Sequence, residues 1–284
     1  MRHLFLLLQV FTPGYYSKLY HYYNYVYSII AYLRYMMHQI KVSLITVTYN
    51  AEQTLQRCIE SVTSQTYGNL EYIIIDGNST DGTLKIIQNN QKYIHVFNSE
   101  HDKGIYDAMN KGINLATGDI IGTLNADDYF ADNEVLEKIA QAFNADDRDL
   151  LYANLDYVNK HGAVVRKWRS GKYKATKFNW GWMPPHPTFY VKKDFFEKYG
   201  LYDLSYGTAA DYELMLRFMY LKTVNVFFLD EVIVNMTIGG VSNRNFRNRA
   251  RAWANDFKAM KSCQIPIPLL GMIFKPIRKI LQFI

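Results

Sequence analysis

The sequence predicts an α/β protein whose mostly parallel central sheet is flanked by helices. Three observations lead there. Short, nearly continuous apolar runs recur along residues 41–125, as buried parallel strands require. Between them lie segments whose apolar residues repeat every three or four positions. Each run then stops at turn residues or acids, so polar groups gather at one end of the strands.

Taken in order, "KVSLITVTY" (41–49) reads as the first strand, and "AEQTLQRCIESVTSQ" (51–65) as a helix with Leu55, Cys58, Ile59 and Val62 on its inner face. "LEYIIIDGNSTDGT" (70–83) is a second strand ending at Asp76 in a turn, and "LKIIQNNQ" a short helix. "YIHVFNS" (93–99) is the third strand. "IYDAMNKGINLATG" (105–118) is a helix, with Gly118 placed to take a left-handed cap, and "DIIGTLN" (119–125) the fourth strand. "LLYANLDYVNKHGAVVRKWR" (150–169) reads as two strands meeting at a His-Gly turn, and "TAADYELMLRFMY" (208–220) as a helix packing Leu214, Leu216 and Phe218 inward. Alternating strands and helices imply right-handed crossovers. Ligands of such sheets bind beyond the carboxyl ends of the strands. Thr48, Tyr49, Asn50, Asp76, Asn125, Asp127 and Asp128 all fall there.

Composition narrows the ligand. The 284 residues, 49% hydrophobic, suffice for a sizeable core without staples. Two cysteines, Cys58 and Cys263, offer neither a disulfide framework nor a four-ligand zinc site, which fits a cytosolic protein. The net charge of +6 fits an anionic ligand, a membrane surface or nucleic acid, and does not choose among them. The first strand is followed by "VTYNAEQTL", which is neither the glycine fingerprint of dinucleotide folds nor a phosphate-binding loop. A divalent ion is the alternative, since magnesium takes one or two carboxylates plus substrate phosphates. "ADD" (126–128) reads equally as such a site or as a charged N-cap for the helix that follows.

Four stretches in order, "ITVTYNAEQTLQRCIESVTSQTY", "IIIDGNSTDGT", "SEHDKGIYDAMNKGINLATGDIIGTLNADD" and "HPTFYVKKDFFEKYGLYD" with "AADYELMLR", resemble the family 2 glycosyltransferases of the GT-A fold, especially those of bacterial polysaccharide assembly. The likeness runs from about Lys41 to Ser242. It implies a nucleotide-sugar half over 41–128 and an acceptor half over 129–242. It assigns Thr48, Tyr49 and Asp76 to the nucleotide base, and the acidic motif Asn125-Ala126-Asp127-Asp128 to ribose and a Mg2+ or Mn2+ ion on the diphosphate. The first acid of the usual motif is asparagine here, and a neutral amide oxygen is a weaker metal ligand than a carboxylate. Asn125 is therefore given the ribose and Asp127 the metal, with Asp128 either joining the metal or capping the helix. Lys103 resembles the family position near the nucleotide and Asn110, on the helix that follows, is taken with it as a nucleotide-sugar contact; they otherwise read as a solvated lysine and a helix-surface amide.

Glycosyl transfer from a nucleoside diphosphate also needs a base for the acceptor hydroxyl. The resemblance makes Asp211 that base, in a single inverting displacement; as structure alone Asp211 caps its helix. Trp182 and His186, in "NWGWMPPHPTFY" (179–190), are placed on the acceptor or diphosphate side, since aromatic faces stack on sugars; a histidine beside prolines is equally a structural one. Gly239 and Gly240, in "NMTIGGVS", match a family segment where backbone approaches the site.

The termini differ from the core. Residues 1–40 are rich in tyrosine, and Leu19, Tyr22, Tyr23, Val26, Ile29, Ile30, Leu33, Met36 and Met37 recur at helical spacing, which predicts an anchoring helix in the membrane plane; packing on the body, a spanning segment and a non-native leader are the other readings. The first apolar run is too short to cross a bilayer, and no secretory cleavage site follows it. After Ser242, read as an N-cap, Phe246, Ala250, Trp253, Phe257 and Met260 predict one apolar stripe. In "GMIFKPIRKILQFI", Ile273, Ile277, Ile280, Leu281 and Ile284 oppose Lys275, Arg278 and Lys279. Such basic amphipathic pieces favour an anionic membrane surface, or else dock on the domain or a partner. The whole reads as a cytoplasmic enzyme at the inner membrane face. It takes a nucleotide sugar, by family prior a UDP-sugar, and a lipid-linked or growing glycan, with no nucleic acid partner. A non-catalytic nucleotide-sugar-binding subunit is the alternative, raised by Asn125 and opposed by Asp211. A nucleotidyltransferase ranks third, because the glycine- and arginine-rich loop after its first strand is absent.

Overall fold

The computed structural model describes residues 22–26, 39–145, 147–238 and 246–283. The chain divides into two units, residues 1–39 and 40–284. In the first, residues 22–26 are helical with Tyr22, Tyr23 and Tyr25 exposed; the remainder of the expected anchoring helix lies outside the described residues. No helix among the described residues is long and apolar enough to cross a membrane.

The second unit begins β1 (Val42–Thr48), α1 (Leu55–Thr63), β2 (Leu70–Asp76), α2 (Thr83–Asn89), β3 (Val96–Ser99), α3 (Ile105–Leu115) and β4 (Ile120–Thr123). It continues with β5 (Tyr129–Phe130), α4 (Val135–Ala145), β6 (Leu150–Val158), β7 (Val164–Trp168), β8 (Tyr190–Lys192), α5 (Lys193–Tyr199) and α6 (Ala210–Met215). β9 (Val226–Thr237), α7 (Phe246–Ser262) and α8 (Pro268–Ile280) complete it. The sheet runs β3-β2-β1-β4-β8-β6-β9-β5, with β7 on β6. The first four strands are parallel. Beyond β4 the antiparallel β8 intervenes, a three-residue strand that carries no periodic signal of its own.

Alternation along the buried strands divides the core into two layers. Ile45, Val47, Ile73, Ile75 and Ile121 face α3 and α6, while Leu44, Tyr72, Ile74 and Ile120 face α1 and α4. Leu55, Cys58, Ile59 and Val62 are the buried side of α1, as their spacing predicts. Each such apolar side chain, moved from water into the core, contributes about 1.5–3 kcal/mol. Glu71, at the amino end of β2, is buried against this packing and accepts from Ser43 Oγ at 2.5 Å, Thr117 N at 2.7 Å and Lys41 Nζ at 2.9 Å.

Gly118 does not cap α3. The helix ends at Ala116 in an extended conformation, and a Cβ on Gly118 would lie 2.6 Å from Lys41 O and from Ser43 Oγ. Glycine is needed there for close approach rather than for a left-handed turn. The stripe expected along α7 also differs: Met260 is buried, but Trp253 is 56% exposed, and the helix instead buries Ala259 beside it. Ser242, Gly239 and Gly240 lie outside the described residues.

Candidate active site

At the carboxyl end of β1, Thr48 is buried with its Oγ1 unpartnered, and its carbonyl accepts from Gly77 N at 2.9 Å. Tyr49 follows with 64% of its surface exposed, so its ring is open for stacking. Asp76 is fully buried at the matching end of β2. Its carboxylate accepts from Ser79 Oγ at 2.5 Å, Ser79 N at 2.9 Å and Ser99 Oγ at 2.6 Å. Asp76 thus shapes the turn after β2 and ties it to β3. Gly77 lies between Tyr49 and Asp102, since a Cβ there would be 3.3 Å from the Tyr49 ring and 2.5 Å from Asp102 Oδ2. The exposed Lys103 is next, its backbone N–H donating to Asp107 Oδ2 at 2.9 Å. Tyr49, Gly77, Asp102 and Lys103 therefore form one wall at the ends of β1 to β3.

The acidic turn after β4 is held by a strand far along the chain. Thr237, at the end of β9, donates from Oγ1 to Asp127 O at 2.6 Å and from N to Asp128 Oδ1 at 3.3 Å. Arg57 of α1 donates to Thr237 Oγ1 at 2.7 Å and lies 4.3 Å over the Tyr129 ring. Asp128 is fully buried, and its second oxygen accepts from Asn125 Nδ2 at 3.0 Å. Burial, and then the neighbouring Asp127 charge, push the Asp128 carboxyl well up. Burial also raises Asp127, against its own backbone N–H and Arg57. Two carboxyls raised side by side mark a place short of positive charge.

This bears on the divalent ion implied for the turn. Asp127 is half-buried with its carboxylate free of other side chains, and Asn125 Oδ1 is buried without a partner. Both are hard oxygens suited to Mg2+ or Mn2+. Asp128 is held in the turn by one hydrogen bond at each oxygen, from Asn125 and from Thr237. Among the described residues no group of three acids, histidines or cysteines gathers for a metal, so most ligands would come from diphosphate and water. The residues fit an ion shared with substrate, held through Asp127.

On the other side, Asp211 opens α6, and its Oδ1 accepts from Tyr212 N at 2.7 Å. The buried Tyr106 phenol lies in the field of the Asp211 carboxylate: burial, followed by the Asp211 charge, raises it well above its usual range. His186 Nε2 hydrogen-bonds the Tyr202 hydroxyl at 2.7 Å. Burial lowers the His186 imidazole, with Asp211 pulling the other way, so it stays neutral at physiological pH. Tyr106 is near the start of α3, just after Lys103, between Asp211 and the wall at the ends of β1 to β3.

Two expectations change here. Asn110 is no nucleotide ligand: its amide is closed by Tyr202, donating to Tyr202 O and accepting from Tyr202 N, both at 2.9 Å. Trp182 offers no face to a sugar. It is 3% exposed, its indole donates to Ser170 O at 3.0 Å, and Phe178 and Tyr152 pack edge-on against it. The exposed tryptophan of that segment is Trp180. Sequence reasoning missed Tyr106, Tyr202, Thr237 and Arg57. "KGIYDAMNKG" and "GLYD" carried the tyrosines within stretches already singled out, but nothing local signals Thr237 or Arg57.

A parallel half-sheet with an open aromatic, an acidic turn and a carboxylate on a separate helix defines the GT-A class of nucleotide-sugar transferases. Residues 43–210 match the model of Glycosyl transferase family 2, and the chain belongs to that family. It is a glycosyltransferase. An uncharacterised glycosyltransferase of Mycobacterium tuberculosis is 32% identical over 186 residues, covering 62% of this chain and 68% of its own. The PGL/p-HBAD biosynthesis glycosyltransferase of the same organism is 28% identical over 217 residues, covering 71% and 78%. An Escherichia coli UDP-Glc:alpha-D-GlcNAc-diphosphoundecaprenol beta-1,3-glucosyltransferase is 32% identical over 124 residues, 43% of this chain and 49% of that one. Among solved structures, Staphylococcus aureus TarS 1-349 with UDP-GlcNAc superposes at TM-score 0.61 with 19% identity, covering 81% of this chain and 67% of that one. The Pyrobaculum calidifontis mannosyltransferase with GDP-Man and Mn2+ superposes at 0.59 with 17% identity, covering 84% and 69%. These two likenesses bear on the fold.

Proposed function

We propose that the protein is an inverting glycosyltransferase that moves a sugar from a nucleoside-diphosphate sugar, a UDP-sugar, to a hydroxyl of a lipid-linked or growing glycan during cell-surface polysaccharide synthesis. The observation that carries this reading is Asp211. It opens α6 with its carboxylate oriented by Tyr212 N and beside the buried Tyr106 phenol, and it has no ion-pair partner among the described residues. Such a group removes the acceptor proton as the acceptor oxygen attacks the anomeric carbon and the bond to the diphosphate oxygen breaks. One displacement inverts the anomeric centre and needs no enzyme nucleophile. Cys58 is no candidate for one: burial pushes its thiol up to about 12.

On the donor side, Tyr49 stacks on the base, Thr48 Oγ1 and Asn125 meet base and ribose, and Asp76 fixes the turn beneath them. Lys103 is free to reach the diphosphate. A Mg2+ or Mn2+ ion held at Asp127 would supply positive charge against the diphosphate leaving group. The Escherichia coli relative, whose acceptor is a diphosphoundecaprenol-linked sugar, and the outward apolar residues of α8 support a lipid-linked acceptor at the inner face of the cytoplasmic membrane.

The test is a screen of nucleotide sugars by donor hydrolysis, with and without manganese. Asp211→Asn is then assayed with the best donor. Transfer should fall about 10²–10⁴-fold with donor affinity unchanged. Full transfer by Asp211→Asn would refute the assignment, and no binding of any nucleotide sugar would refute the function.

A further inference from the structure

Asp127 carries its carboxylate on a turn, and a turn aims a side chain only as firmly as its peptide planes are fixed. The plane between Asp127 and Asp128 is pinned at both ends. Its N–H, from Asp128, donates to Asn125 O at 3.0 Å and closes the turn on itself. Its carbonyl, Asp127 O, accepts from Thr237 Oγ1 at 2.6 Å and, more weakly, from Arg57 Nη2 at 3.4 Å. A peptide held by both polar groups cannot rotate without breaking one of those bonds, so the Cα–Cβ bond of Asp127 keeps one direction.

The hydroxyl of Thr237 has one role open to it. Arg57 Nη2 donates to it at 2.7 Å, and a guanidinium has no lone pair with which to accept in return. The single hydroxyl hydrogen therefore goes elsewhere, and Asp127 O takes it. Arg57 is steadied in turn by the Tyr129 ring, whose centroid lies 4.3 Å from its guanidinium carbon. Thr237 cannot drift away, because the sheet holds it. It stands opposite Val158 of β6, and the next residue donates from Ile238 N to Val158 O at 2.9 Å. A relay thus runs from Arg57 on α1, through the last residue of β9, to the backbone of the acidic turn.

We infer that Arg57 and Thr237 are positioning residues for the divalent ion of sugar transfer, aiming the Asp127 carboxylate at the diphosphate through the Asp127 backbone. This rests on the reading above in which Asp127 holds Mg2+ or Mn2+, and adds the residues that give that carboxylate its direction. Mg2+ accepts little departure from octahedral geometry, so a ligand swung out of place is a ligand lost. Groups that orient a metal ligand without touching the metal typically contribute about 10–100-fold to metal affinity.

The test is calorimetry of UDP binding to the full chain with and without manganese, the ratio of the two affinities being the manganese gain. Thr237→Val removes the hydroxyl and should cut that gain about tenfold. Metal-free UDP affinity, which rests on Tyr49 and Thr48, should fall much less. Thr237→Ser keeps the hydroxyl and should keep most of the gain. Arg57→Met should match Thr237→Val, and the double variant should lose no more than either alone, since both changes break one relay. An undiminished gain in Thr237→Val overturns the inference. So do losses that multiply to about a hundredfold in the double variant, which would make the two residues independent. Equal falls in metal-free and manganese-dependent affinity overturn it too, by making both residues supports of the fold. Should Arg57→Met fail to fold, the two Thr237 variants carry the test. A wild-type chain that binds neither UDP nor any nucleotide sugar would sink the function itself. Wild-type UDP binding with no manganese gain would remove the ion and this inference with it, whereas a wild-type gain that the variants leave intact sinks this inference alone.

Discussion

Glu71→Gln separates what holds the sheet from what works at its other end. Glu71 accepts four hydrogen bonds, two from Thr117 and one each from Ser43 and Lys41. Although burial raises its carboxyl, these donors outweigh burial and hold it at about 2, against an ordinary 4.5. At about 1.4 kcal/mol per pH unit, that difference is about 3 kcal/mol of stability. The sign follows from the depressed value: the stabilisation is whole above the unfolded value of 4.5 and is lost as pH falls through about 2. Glutamine keeps one acceptor but turns an amide NH2 toward existing donors. Urea unfolding at pH 7 should therefore show Glu71→Gln destabilised by about 3 kcal/mol, and at pH 3 by less than about half of that. Glu71 is the second residue of the strand that Asp76 ends, about 17 Å away at ~3.3 Å per residue, so donor affinity should not change. A gap that is the same at both pH values, or no gap at all, would refute the reasoning.

Tyr49→Ala should weaken nucleotide binding about tenfold, read by calorimetry, through loss of the exposed stacking face. Asp127→Ala should abolish any manganese-dependent gain in donor affinity while leaving metal-free binding within about twofold, since only the ion's protein ligand is removed. Gly122→Ala drives a Cβ into the fully buried ring of Tyr190 on the neighbouring strand and should lower stability by about 3 kcal/mol or more, seen as a fall in melting temperature.

The strand ends were legible because they depend on local chemistry. Apolar runs that stop at Thr48, Asp76 and Thr123 need only their own residues to be recognised. Orientation was not legible in the same way. Asn110 read as a nucleotide contact because its helix starts at the site, but Tyr202, 92 residues later, closes its amide. Trp182 read as a sugar platform because aromatic faces stack on sugars, and the packing of Phe178 and Tyr152 removed that face. The acidic turn read equally as metal ligands or a helix cap, and nothing near it in the sequence shows that Thr237 reaches Asp128 across 109 residues.

The sequence by itself determined the alternation of strands and helices over residues 41–125, the end of the sheet where chemistry gathers, and the family. The first two rest on periodicity and turn residues, which act over a few positions, and the family on the resemblance of its motifs. The tertiary structure decided which carboxylates remain free, which aromatics are core, and that α8 turns Gly271 and Lys275 inward and its isoleucines out. Each of these follows from a partner distant along the chain, and a hydrogen bond or a buried face exists only once both halves have been brought together.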